Sequence, residues 1–489
     1  MIEDLELTAS AGSEMDNSID FLAPVADWYF ESGQNGADLG FSVHAAGDLN
    51  ADGFDDIVIG APLFIAPGET EKDGAAFVFY GDGTSTPLGN TPDLVLTIGR
   101  KGSHFGSSVS TAGDVNGDSF DDLLVGADEY QVTFDGKNGE PKSGAVFLYM
   151  GSEHGLIATP AWTYIAEAPE IQLGYAVTAA GDVNKDGFDD ILVGAPGFEG
   201  SPDQSNEGKV YLFLGSDHGL ATIPDWTFPC GQATASCGFS ASSAGDLNND
   251  NFDDIIIGAP HYSDPEEDEG AAFIFLGSAY GPGNTPDRTL QSDQPGAEFG
   301  ESVASAGDLD QDNYDDVLIG APGFDKDEEQ LDYGAAYIFR GSPTGTSTYF
   351  NWIVEGPEPY SRFGHTVHSA GDVNLDGFAD VLIGAHLYGE NGTLDQPDEG
   401  AVFLYTGGPN GLTLTPRWSA YGNKAEAWFG FSAAPAGDVN GDGSIDLIVG
   451  APNYRYDQKI IMGRAFVYLN TKEDFKEYYY NVFIPFIDN

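Results

Sequence analysis

The chain sets short apolar runs between gaps of glycine, proline, asparagine and aspartate, and the runs come in sets of four. In the first set, DWYFES (27–32) precedes GFSVHAA (40–46), DIVIGAP (56–62) and AAFVFYG (75–81). β-Branched and aromatic residues fill the runs and turn formers fill the gaps, so each set predicts four β-strands. No set has a convincing helical period.

The set recurs seven times. Its signature, GDLNADGFDDIVIGAP from Gly47, returns as GDVNGDSFDDLLVGAD from Gly113, GDVNKDGFDDILVGAP from Gly181 and GDLNNDNFDDIIIGAP from Gly245. Three more copies follow from Gly307, Gly371 and Gly437. The leading aspartates stand 62 to 68 residues apart, so the 489 residues read as one long periodic domain rather than several independent ones. An outer-strand residue (Trp28, Leu94, Trp162, Trp226, Arg288, Trp352, Trp418) always lies 20 residues before the leading aspartate. From that aspartate to the glycine opening the last run the count varies between 24 and 30, which places the length variation in the loop after GAP.

Four antiparallel strands repeated seven times predict an all-β fold, a seven-bladed β-propeller of four-stranded antiparallel blades whose ring protects the sheet edges. The chain starts with an outer strand around Trp28 and lacks a matching segment after AFVYLN (465–470). Residues 27–32 are therefore expected to complete the seventh blade and close the ring. The propeller then takes 27–470, between an N-terminal tail (1–26) and a C-terminal tail (471–489), with no space for a separate catalytic domain. The tail segment KEYYYNVFIPFIDN (476–489) is apolar enough to dock on the ring or to lead into a further domain.

FG or LG before the second run (Phe105-Gly106, Leu173-Gly174, Phe299-Gly300, Phe363-Gly364, Phe429-Gly430), combined with the GAP ending, resembles FG-GAP repeats, as in the β-propeller of integrin α subunits. The match covers roughly 27–470. It departs from the integrin pattern by carrying the acidic loop in every blade, whereas integrin propellers carry it in some, and so looks more like a bacterial or archaeal relative. The resemblance implies a Ca²⁺-binding adhesion or recognition module whose post-GAP face meets a partner, as the corresponding integrin face meets the β subunit.

The acidic loops support the metal independently. Position 1 is Asp48, Asp114, Asp182, Asp246, Asp308, Asp372 and Asp438; position 3 is Asn50, Asn116, Asn184, Asn248, Asp310, Asn374 and Asn440. Position 5 is Asp52, Asp118, Asp186, Asp250, Asp312, Asp376 and Asp442, and position 9 is Asp56, Asp122, Asp190, Asp254, Asp316, Asp380 and Asp446. At position 7, Phe54, Phe120, Phe188, Phe252, Tyr314, Phe378 and Ser444 would offer a backbone carbonyl. Hard oxygen donors on alternate residues of a tight loop suit Ca²⁺, at about 2.3–2.6 Å. One ion per blade, about seven in all, is expected. Position 12 is Ile or Val in every copy, not the glutamate of an EF-hand.

Asp, Asn and Gly also suit metal-free turns. Two carboxylates about 5 Å apart, however, repel by roughly 3 kcal/mol at an effective dielectric near 20, a cost that turning alone does not require. Glycine or asparagine at position 6 permits a left-handed turn, and Ser119 is the weakest fit. Position 8 is Asp55, Asp121, Asp189, Asp253 and Asp315, but Ala379 and Ile445 replace it, arguing against an essential ligand there. Asp310 gives the fifth loop an extra charge and an expectation of tighter binding.

The formal net charge of −61, from 79 acidic and 18 basic residues, opposes nucleic acid and anionic membranes as partners. No run approaches a membrane-spanning length, and MIEDLELTAS lacks the features of a signal peptide. A secreted or cell-surface protein would have had its signal removed already. Cys230 and Cys237 are close enough in sequence for a local disulfide, or are two unpaired small residues. No G-x-S-x-G, H-E-x-x-H or Walker motif occurs, and aspartate pairs are too abundant to mark a glycosidase.

The expected function is thus non-catalytic recognition, with a glycan-binding lectin or a polysaccharide-lyase-type enzyme as alternatives. A monomer is expected. His154 and His218 fall in GSxHGL turns and read as structural; fixed spacing likewise assigns the outer tryptophans to packing rather than sugar stacking. A protein or glycan ligand is expected on the face of the variable loops after GAP, through Tyr130, Phe134, His261, His386 and Tyr388.

Overall fold

The computed structural model describes residues 22–84, 86–132, 142–201, 203–326, 332–389, 397–457 and 460–470. Phe134 and residues 476–489 lie outside them. Among the described residues every regular element is a strand. Seven four-stranded antiparallel sheets form, the first from Ser42–Gly47, Asp56–Ala61, Ala75–Phe79 and Leu94–Leu96 in that order. Innermost strands of successive sheets touch all the way round, Ser432–Gly437 of the seventh packing back against Ser42–Gly47 of the first. The ring is closed.

Each second strand, such as Asp56–Ala61, is buried along its whole length because both faces of a blade are covered by neighbours. That is why these runs are continuously apolar. The core is divided among blade interfaces: Ile57, Phe77 and Phe79 of the first blade pack with Ala434, Ile448 and Val467 of the seventh. The repeat motif itself is a fitting between blades. Phe105, fully buried, bridges in parallel to Gly74 of the preceding blade. A Cβ on Gly60 would stand 2.1 Å from the carbonyl oxygen of Gly106, so only glycine lets the two backbones approach. The closing joint repeats this, with Leu39 bridging Gly463 and Gly450 facing the Gly40 carbonyl at 2.0 Å from an ideal Cβ.

The seventh sheet takes its outer strand from the other end of the chain, Trp28 opposite Val467 and Phe30 opposite Ala465. The clasp runs further back than residue 27. Leu22 is buried and bridges Asn470, and the Ala23 carbonyl accepts the Trp418 indole N–H at 3.0 Å. Elsewhere the same indole bond reaches the linker before the next outer strand, from Trp162 to Ala221 and from Trp226 to Gly283, both at 2.8 Å. Residues 22–26 therefore stand in for the linker that the seventh repeat does not encode. These bonds, with edge contacts such as Trp28 on Phe79 at 5.0 Å, hold the outer tryptophans in packing roles. Cys230 and Cys237 are disulfide-bonded, Cα atoms 5.9 Å apart, with Cys237 in the place of the FG phenylalanine.

Candidate functional site

The acidic loops join innermost to second strands, and all seven share one conformation. In the first, Asp48 accepts the N–H of Asp52 through Oδ1 (3.1 Å) and of Gly53 through Oδ2 (2.9 Å), while Asp52 Oδ1 accepts from Phe54 (3.0 Å). Position 6 is left-handed throughout, Ser119 included, with φ of 72° and its N–H on Asp114 at 2.7 Å. Position 4 is left-handed as well, even at Ala51 (52°) and Leu375 (59°). Such a conformation costs a residue with a Cβ about 1–2 kcal/mol, and sequence reasoning missed it because nothing at position 4 marks it.

Position 9 is fully buried. Asp56 accepts two backbone N–H groups at 3.0 Å, from Leu49 of its own loop and from Gly81 beyond the third strand. Burial, opposed by those bonds and reinforced by the charges of Asp52 and Asp48, pushes its carboxyl up to about 8. Asp190 and Asp446 rise to about 8 for the same leading reason. Ionised carboxylates at this depth call for a cation beside them.

The donor set fits a hard cation. Asn248 Oδ1 and Asp310 Oδ1, both at position 3, are buried and have no hydrogen-bond partner among the described residues. Oxygens of Asp308, Asp310 and Asp312 lie within 4.8 Å of one another. Position 3 is asparagine in the other six loops, so their third oxygen is an amide. The fifth loop's extra charge is offset: Arg340 Nη2 stands 2.6 Å from Asp310 Oδ2. That removes the reason for expecting it to bind more tightly.

Position 8 has a role that the sequence hid. Its carboxylate crosses to the preceding blade and accepts the N–H of that blade's leading aspartate, Asp121 from Asp48 at 2.8 Å and Asp189 from Asp114 at 2.8 Å. Ala379 and Ile445 fill the same space without the bond, lying against Gly307 and Gly371. The pattern read from their replacement, that position 8 is not a ligand, agrees with this placement.

Seven segments, 39–79, 105–149, 173–213, 238–275, 299–339, 363–405 and 429–460, match the FG-GAP repeat and together cover more than half of the chain. The chain belongs to the FG-GAP repeat family. It is 32% identical to integrin alpha-5 of Xenopus laevis over 251 residues, 49% of this chain and 21% of that one. It is 33% identical to integrin alpha-4 of the same species over 220 residues, 44% of this chain and 20% of that one. A phosphatidylinositol-glycan-specific phospholipase D of Bos taurus is 28% identical over 345 residues, 64% of this chain and 39% of its own. The matched region is thus about a fifth of each integrin.

On the opposite face of the FG-GAP ring, the post-GAP end of the channel opens into a central cavity of about 410 Å³, which Pro62, Leu63 and Asp128 reach from the loops after GAP. Its walls come from the innermost strands, with Phe41 against Phe431 at 5.0 Å and Tyr175 against Phe239 at 4.8 Å. Of the residues expected to meet a partner there, His386 packs on His365 near this mouth and His261 is half-buried. Tyr130 and Tyr388 are packed into their blades, edge-on to Phe147 and Phe403, both at 5.9 Å. The same contact recurs at Phe64, Tyr262, Phe324 and Tyr454. The signal was legible: the third residue after the alanine of GAP is aromatic in all seven repeats. Both tyrosines thus have a structural reason to be aromatic that needs no partner. His154 and His218 are exposed on their turns, as expected.

Proposed function

We propose that this FG-GAP propeller is a secreted or cell-surface recognition module. It holds about seven Ca²⁺, one per blade, and binds a protein or glycan ligand on the post-GAP face without catalysing a reaction. The unpartnered position-3 oxygens of Asn248 and Asp310 carry the calcium part. In the other five loops that oxygen accepts the position-5 N–H, and all seven loops share the left-handed conformation at positions 4 and 6. The disulfide supports an oxidising compartment. In this reading Ca²⁺ acts at a distance, fixing the hairpins so that the blades present the opposite face as a rigid surface. Purified protein is tested on a glycan array and against detergent-solubilised surface proteins, in Ca²⁺ and in chelator. Saturable binding that requires Ca²⁺ supports the reading; turnover of uronic-acid polymers or another glycan would overturn its non-catalytic part.

A further inference from the structure

One corner of the cavity mouth departs from the sevenfold pattern. Blade six reads GAH where five blades read GAP, and it carries a histidine directly after its FG pair. The two substitutions meet in space, the rings of His365 and His386 lying 4.1 Å apart between centroids at an interplanar angle of 50°.

Their polar surroundings are unequal. His365 Nδ1 is 2.5 Å from Glu301 Oε1; in the neutral tautomer that donates Nδ1–H to the carboxylate, Nε2 keeps its lone pair. A carboxylate holding the far nitrogen of an imidazole is the arrangement that orients histidines toward metals. His386 Nδ1 is shut off from solvent and has no hydrogen-bond partner among the described residues. An orphaned buried nitrogen is costly and asks for a ligand.

Two carboxylates, Glu298 and Glu301, stand beside the pair and share one guanidinium, Arg362 Nη2 at 2.7 and 2.9 Å. His365 lines the 410 Å³ cavity, so an ion has a route from solvent.

We propose that His365 and His386 form a binding site for a borderline transition-metal ion such as Zn²⁺, with Glu301 as the orienting carboxylate and water completing the coordination. Two imidazole nitrogens suit Zn²⁺, Co²⁺ or Ni²⁺ and not Ca²⁺, so the site is distinct from the acidic loops on the other face. Metal–nitrogen bonds near 2.0–2.1 Å at tetrahedral angles would put the ring centroids about 5 Å apart. The rings need to open by roughly an ångström from their present separation.

The test titrates Co²⁺ into the full chain with Ca²⁺ in large excess, so that the loops are occupied. One Co²⁺ per chain is expected, with the d–d absorption of a nitrogen-ligated four-coordinate ion that Zn²⁺ abolishes. His386→Asn and His365→Gln should each weaken binding more than tenfold. Glu301→Gln should weaken it about tenfold, as loss of an orienting partner does, and His104→Gln should leave it unchanged. Absence of saturable Co²⁺ binding, or binding untouched by His386→Asn, overturns the proposal. Zn²⁺ anomalous scattering from soaked crystals of the unaltered protein decides the case if a variant fails to fold: a peak between the two rings supports the site, and its absence there refutes it.

Discussion

Asp55 Oδ2 accepts the backbone N–H of Asp438 at 2.7 Å, joining the first acidic loop to the seventh across 383 residues of sequence. The backbone reinforces it, with Asp55 N–H donated to the Asp438 carbonyl at 3.3 Å. The ring is therefore fastened at its inner loops as well as at its outer edge. Asp55→Ala should lower stability by about 1–3 kcal/mol, because the Asp438 N–H loses its acceptor. Asp55→Asn keeps an acceptor oxygen and removes repulsion from Asp438 and Asp48, and should cost less. Equal losses for the two in calorimetry would contradict the hydrogen bond as the fastening.

Deleting residues 1–34 removes the strand Trp28–Phe30 and exposes the edge of Arg464–Tyr468. It also strips the Trp418 indole of its Ala23 acceptor and the Gly89 carbonyl of its Trp28 donor. The truncated chain should aggregate or melt far below the parent, since an open strand edge recruits other chains. Light scattering together with a melting curve checks this; a monomer of parental stability would refute the clasp.

Tyr388 packs against both Phe403 and Tyr421, the latter at 5.5 Å. Tyr388→Ala should lower stability by about 2–4 kcal/mol, on the scale of truncating a core aromatic that keeps some exposure. Tyr130→Ala should behave alike. Unchanged melting temperatures for both would show that the packing contributes nothing and return the two tyrosines to a purely surface role.

His44 and His368 face one another in the cavity, ring centroids 5.4 Å apart. Burial lowers both, and the neighbouring His44 helps bring His368 down to about 3. A folded-state value below the ordinary 6.5 means that the unfolded chain takes up protons which the folded chain refuses. The stability these neutral rings permit is complete above about pH 6.5 and is lost as the pH falls toward 3. Between pH 7 and 5 the unaltered protein should lose more stability than His44→Gln/His368→Gln. Parallel curves for the two would contradict the assignment.

The repeat made most of the fold legible in advance, because blade number and strand order follow from where the acidic loop and the GA-ending strand recur, and closure from the unpaired outer strand at Trp28. What escaped were relations that cross from one blade to the next. The acceptor at position 8 is invisible in any single repeat, since its partner lies about 70 residues away, as Asp48 does from Asp121. Arg340 likewise shares no motif with Asp310, so its neutralising charge could not be counted. Leu22 and Ala23 fall in a stretch with no repeat signal, yet they complete the last blade. Tyr130 and Tyr388 looked exposed because they begin variable loops; only the aromatic in the same place of all seven repeats marked them as packing residues. His44 and His368 sit on innermost strands, whose inward direction needs the ring to be built first.

The account rests on calcium in the loops, and metal content measures it directly. Protein equilibrated with Ca²⁺ and separated from free ion should carry close to seven per chain by elemental analysis. Each occupied site stabilises the folded state by about 2.7 kcal/mol when free ion stands a hundredfold above Kd, so chelation should lower the melting temperature steeply. Two or fewer Ca²⁺ per chain, with a melting temperature that chelator leaves unchanged, would contradict it.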